Sequence, residues 1–135
     1  MKLSPSQGGF RMSPRNLIMQ ADVYTPTLTN VANIAASTAY QCQYLRVGNS
    51  VTVSGRVDID PTLATTATQL GISLPIASAI GAVEDIAGVA FGPAVASLGA
   101  AILGDITNDR AQLEYISLSD VTNQAMYFIF TYQII

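Results

Sequence analysis

The sequence predicts an all-β protein, built as an antiparallel sandwich or barrel of short strands. Three observations lead there. From Val51 to Asp60 the residues alternate, with Val51, Val53, Val57 and Ile59 on one side and Thr52, Ser54, Arg56, Asp58 and Asp60 on the other. That period of two belongs to a half-buried strand. From Tyr24 onward the chain is rich in Thr, Val, Tyr and Ile and is broken by Asn, Gly and Pro, the composition of short strands and turns. No heptad run and no repeat of fixed period interrupts this pattern.

Residues 1–23 are expected to form an extended arm. Two Ser-Pro steps and Gly8-Gly9 break helix and strand alike. Phe10, Met12, Leu17, Ile18 and Met19 give this arm apolar anchors, and Arg11 and Arg15 give it charge. Residues 24–135 are expected to form one knob. Its strand from Val51 follows a Gly48-Asn49 turn, and Gly55 leaves a side chain missing from the apolar face, the mark of a bulge or a close sheet contact. Leu70, Ile72 and Leu74 alternate in the next strand, which Pro75 closes. Ile86–Gly104 is uncharged over nineteen residues. It holds Gly88, Gly92, Pro93, Gly99 and Gly104 and has acidic flanks without Lys or Arg. Two short strands, 86–91 and 95–104, fit it better than a membrane span. A turn at Thr107–Arg110 leads into the alternating Ala111, Leu113 and Tyr115. The last strand carries Met126, Phe128, Phe130, Tyr132 and Ile134 on one face and Tyr127, Ile129, Thr131, Gln133 and Ile135 on the other. Both faces are largely apolar, so both are expected to be covered, the second by a neighbouring subunit.

Composition narrows the functional classes. Half of the 135 residues are apolar and 11% are charged, against roughly 25% charged in an average domain. Charge this sparse points to surface buried in an assembly. The chain has no His and one Cys, which excludes Ser-His-Asp and Cys-His catalysis, an intrachain disulfide and a CxxC zinc site. Cys42 is read as a small buried apolar residue. Residues 1–21 carry Lys2, Arg11 and Arg15 and no acid, whereas residues 22–135 carry three Arg against nine Asp and Glu. The acidic body is no nucleic-acid face, and the basic arm suits an acidic partner. The N-terminus lacks the apolar core of a secretory signal.

Asp58 and Asp60 stand at i, i+2 on one strand face. That spacing could begin a calcium site, but with Arg56 beside them a solvated outer face is expected. The Gly104–Arg110 stretch is a hairpin turn rather than a calcium loop, and no phosphate-binding glycine motif is present. No catalytic residue, metal or cofactor is assigned. Candidate ligand-binding loops lie near Asn30–Thr38 and Asp60–Thr68, where Ser, Thr and Asn cluster.

The order of short motifs resembles a pattern in structural proteins of tailed bacteriophages. It runs from Tyr24-Thr25-Pro26-Thr27 through Arg46-Val47-Gly48-Asn49 and Val51-Thr52-Val53 to a closing Tyr127–Ile135. Such domains form distal knobs of tail fibres and tailspikes and small trimeric cement (decoration) proteins on capsids. The resemblance implies a jelly-roll-like antiparallel β-sandwich and a homotrimer, with Tyr127, Phe128, Ile129, Phe130, Tyr132 and Ile134 in the core or the trimer interface. The short arm suits a protein clipped onto a capsid rather than a fibre. The expectation is a cement protein on the outer capsid surface, made in the host cytoplasm. Phe10, Arg11, Arg15, Leu17, Ile18 and Met19 would bind the major capsid protein. The alternative is a receptor- or glycan-binding knob of a tail fibre or tailspike.

Overall fold

The alternation read around Val51 is one long strand, Ser50–Pro61, and the rest of the chain is organised around it. A computed structural model describes residues 18–118 and 123–135. Its strands are β1 Met19–Tyr24, β2 Leu28–Ala32, β3 Ile34–Ala39, β4 Cys42–Val47, β5 Ser50–Pro61, β6 Ala67–Ile72, β7 Ile86–Phe91, β8 Gly99–Asp105, β9 Arg110–Ile116 and β10 Gln124–Gln133. The helical content among the described residues is one 3₁₀ turn, Val83–Asp85.

All ten strands join one antiparallel sheet in the order β1-β4-β5-β10-β7-β8-β9-β6-β2, with β3 also paired to β5. The sheet curls. β4 pairs with the first half of β5 and β3 with its second half. β2 ends the order at the far side, yet it runs into β3 through the single residue Asn33 and packs against it. The seam is held by that residue. Asn33 adopts a left-handed φ of 56°, which Asn tolerates better than most residues. Its amide donates to the Leu63 carbonyl at 3.0 Å and to Thr68 Oγ1 at 2.9 Å, and its Oδ1 accepts from Leu63 N at 2.8 Å.

The core lies inside the curl. Val51, Val53, Val57 and Ile59 of β5 meet Leu70 and Ile72 of β6, Ala111, Leu113 and Tyr115 of β9, and Met126, Phe128, Phe130 and Tyr132 of β10. Each large side chain contributes on the order of 1.5–3 kcal/mol by leaving water. The two core phenylalanines each face a glycine on the adjoining strand. Phe128 is opposite Gly55 of β5, and Phe130 is opposite Gly88 of β7. Their rings stack at 5.8 Å. Cys42 lies on the other side of Gly55, and a Cβ added at Gly55 would overlap its Sγ. Gly55 is therefore a close contact within one sheet, and Cys42 is buried as expected.

Four expectations change. Residues Met19–Tyr24, partly inside the stretch assigned to the arm, form a strand, because β1 pairs along its whole length with β4. The Asn30–Thr38 loop is instead most of β2 and β3, whose small and polar residues carry no period-two apolar stripe. The second strand of 86–104 starts at Gly99, because Gly92, Val95 and Leu98 close backbone hydrogen bonds among themselves and form a turn first. Asp58 is not solvated. It is buried at 3% exposure, because Tyr40, Arg56 and Asn123 close over its carboxylate.

Candidate functional site

Strand register turns the remaining side chains into one outer surface. Val23, Gln43, Ser54, Ile129, Val89 and Ala101 form one row across β1, β4, β5, β10, β7 and β8. Ala21, Leu45, Thr52, Thr131, Ala87 and Leu103 form the next. Arg56, Tyr127, Phe91 and Gly99 make a third at one end, and Met19, Val47, Ser50 and Gln133 a fourth at the other. Arg56 is the one charged residue in these four rows. The large apolar members stand in solvent, including Val89 at 60%, Phe91 at 54% and Ile129 at 48% exposure. Phe91 and Tyr127 pack edge to face at 5.6 Å.

The final strand thus divides by parity. Phe128, Phe130 and Tyr132 are core, and Ile134 is half-buried against it. Tyr127 and Ile129 point outward and are exposed among the described residues. The apolar character of both faces was visible in the sequence, but which face meets the core follows from the β5 and β7 registers. The leading segment is only partly described. Ile18 and Met19 are exposed, with the Ile18 carbonyl accepting from Gly48 N at 2.8 Å. Phe10, Arg11, Arg15 and Leu17 lie outside the described residues.

The outer face ends in a polar cluster. Arg56 Nε and a terminal guanidinium nitrogen donate to Asp58 at 2.8 and 3.0 Å, and the Tyr40 hydroxyl donates to Asp58 Oδ2 at 2.9 Å. The guanidinium also lies 4.6 Å over the Tyr40 ring. Burial pushes the Asp58 carboxyl up, but the hydrogen bonds from Arg56 and Tyr40 outweigh it and hold the group below the usual carboxylate range. The same bond raises the Tyr40 hydroxyl. Asp60, although beside Asp58 in sequence, takes no part in this cluster. A second cluster caps the β8–β9 turn, where Asp105 accepts from Thr107 N, Asn108 N and Arg110 Nε. These carboxylates are consumed in holding turns and strands. Among the described residues no three His, Cys, Asp or Glu side chains gather where a metal could bind.

A polar cleft opens elsewhere, lined by Thr27, Thr29, Ser73, Asn108, Asp109 and Arg110. Composition cannot find it, because it joins the β1–β2 and β6–β7 connections to the β8–β9 turn. Among the described residues no helix is long and apolar enough to cross a membrane. No protein-family model, curated protein or solved structure matches this chain.

Proposed function

We propose that this chain is a structural virion protein, a homotrimeric cement or decoration protein on the outer capsid surface of a tailed bacteriophage. In this reading the curled sheet is a jelly-roll-like sandwich knob. The segment ahead of β1 docks on the major capsid protein, with Arg11 and Arg15 meeting carboxylates and Phe10 and Leu17 filling apolar pockets. Three such segments on one trimer raise each other's effective concentration, so modest single contacts add to tight binding. The observation that carries the reading is a basic, apolar leader ahead of a β knob whose carboxylate clusters are used up internally. The resemblance to phage knobs supplies the setting. The test is removal of residues 1–17, which spares β1, followed by mixing with undecorated capsids. The truncated protein is expected to fold like the full chain and to lose capsid binding. Equal binding by both forms would overturn the docking role.

The polar cleft favours a second reading, a receptor- or glycan-binding knob. Its hydroxyl, amide, carboxylate and guanidinium groups suit a polyhydroxyl ligand. A glycan array probed with the purified protein tests it, and an array without signal refutes it.

A further inference from the structure

We infer that the polar cleft beside Gly71 binds a small hydroxylated carboxylate, with the Arg110 guanidinium taking the carboxylate group. This rests on the second reading above and names the ligand class of its cleft. The strand register builds the hollow. Gly71 of β6 stands between Thr29 of β2 and Gln112 of β9, so bare backbone lies between two side chains. Arg110 rests on that backbone, because a Cβ added at Gly71 would lie 2.6 Å from Arg110 Nε and 2.8 Å from its Cζ. The side chain is 17% exposed. Asp105 accepts from its Nε at 2.8 Å and fixes the group from one side. Among the described residues nothing accepts from the terminal guanidinium nitrogens. That free edge is planar and matches a carboxylate with two parallel hydrogen bonds.

Hydroxyls surround the edge. Thr27 N donates to Ser73 Oγ at 2.8 Å, and Ser73 N donates to the Thr27 carbonyl at 3.1 Å. Ser73 Oγ therefore keeps its own proton to donate. Thr27 and Thr29 line the same cleft. Asp109 forms another part of the wall, with Oδ1 accepting from Ile80 N at 2.8 Å. Its carboxylate accepts from ligand hydroxyls and repels a bare anion. With Asp105 and Asp109 set against the single Arg110, phosphate finds no net attraction. A carboxylate that carries hydroxyls satisfies both sides. The cleft holds about 380 Å³, inside the range of about 300–1,000 Å³ of small-ligand sites.

An acidic sugar residue and a free hydroxy acid share this chemistry, and the test separates them. The isotope-labelled full-length chain is titrated with methyl glucuronide, gluconate, methyl glucoside and inorganic phosphate, and its amide signals are followed by NMR. Each probe is taken to about 20 mM, where a millimolar site saturates. Methyl glucuronide is expected to move the amides of Thr29, Ser73 and Arg110 and to leave those of Leu45 and Ile129 in place. Methyl glucoside and phosphate are expected to bind about tenfold more weakly or not at all. Arg110→Lys keeps the charge beside Asp105 but loses the planar edge, and should weaken glucuronide binding about tenfold. Thr29→Val removes one hydroxyl at nearly constant volume and should weaken it about fivefold. Both variants are expected to keep the wild-type circular dichroism spectrum. Equal binding of glucoside and glucuronide overturns the inference and leaves the polyhydroxyl reading standing. Gluconate binding that Arg110→Lys weakens, without binding of either glycoside, supports the inference and refutes the glycan knob. Phosphate binding as tight as glucuronide, shifts confined to residues outside the cleft, affinity unaltered in Arg110→Lys, or no shift with any probe overturns the inference.

Discussion

Gly88 makes the sharpest stability prediction. It faces Phe130 across the β7–β10 ladder, and a Cβ added there would lie 2.5 Å from Phe130 Cβ and 2.6 Å from Phe130 Cα and would overlap the Ile129 carbonyl. Carbon atoms in contact sit about 3.5–4.0 Å apart, so the shortfall is about 1 Å. The obstacle is largely backbone, so the strands must separate. Moving β7 from β10 by that much stretches ladder bonds of about 2.9 Å past their useful limit. Losing two or three bonds at about 1 kcal/mol each, with the misfit in the core beside Phe130, gives roughly 2–4 kcal/mol for Gly88→Ala. Gly55→Ala meets the Cys42 side chain and its Cα at 3.2 Å. A side chain yields more readily than backbone, so the cost is about 1–2 kcal/mol. At Gly99 the new Cβ meets only the Ala90 carbonyl at 3.9 Å, and Gly99→Ala should be neutral or slightly stabilising. Urea unfolding at one fixed protein concentration, followed by circular dichroism, ranks the three. The Gly88→Ala midpoint is expected to fall by about 1–2 M. If Gly88→Ala lies within about 0.5 kcal/mol of Gly99→Ala, glycine at 88 is not what lets β7 and β10 meet, and the reasoning fails.

Other outcomes follow from the seam and the clusters. Asn33→Ala removes two side-chain bonds to the Leu63 backbone and leaves a left-handed φ on a residue that resists it. A loss of about 2–3 kcal/mol is expected in thermal or urea unfolding, with Asn33→Gly losing less because the backbone cost is gone. Equal stability of Asn33→Gly and wild type would show that the side-chain bonds add nothing beyond the backbone cost that Gly relieves. The Asp58 carboxyl is held below its unfolded value of about 3.9. Its contribution is therefore complete above about pH 4 and is lost as pH falls through the lower folded value. Asp58→Asn should be less stable at pH 7 and should show a shallower decline between about pH 4 and 2, and parallel acid unfolding curves for both proteins would contradict it. Phe130→Ala empties a core position and should cost about 3–5 kcal/mol, whereas Thr131→Ala on the exposed face should change stability by less than about 1 kcal/mol. A reversal of that order would invert the assigned faces of β10.

The all-β class and the inward residues of β5, β6, β9 and β10 were legible because one-sided burial imprints a period of two on the sequence. β2 and β3 were legible only as part of a strand-rich composition, and Asn30–Thr38 was also read as a ligand-binding loop. Their seam is held by Asn33 and by hydrogen bonds rather than by an apolar stripe, so Ser, Thr and Asn read as loop. Gly55 was legible as a gap in the apolar face, but its neighbours Cys42 and Phe128 come from two other strands, and only the registers bring them together. Asp58 was misread for the same reason. Its own strand puts it outside, and Tyr40 and Asn123, distant in sequence, supply the lid. The two apolar faces of β10 were plain in sequence, while their assignment to core and surface was not.

The Gly48-Asn49 turn has a mechanical consequence. Gly48 N donates to the Ile18 carbonyl at 2.8 Å, and the Asn49 carbonyl accepts from Ile134 N at 2.7 Å. The polypeptide thus enters and leaves the described fold at a single hinge point. Tension pulled along the chain would cross this turn and the strands beside it, and would leave the opposite pole unloaded. A pulling experiment gripping residues 18 and 134 would peel β1 and β10 first, while Leu70, Leu113 and the β6–β9 half of the curl remained folded.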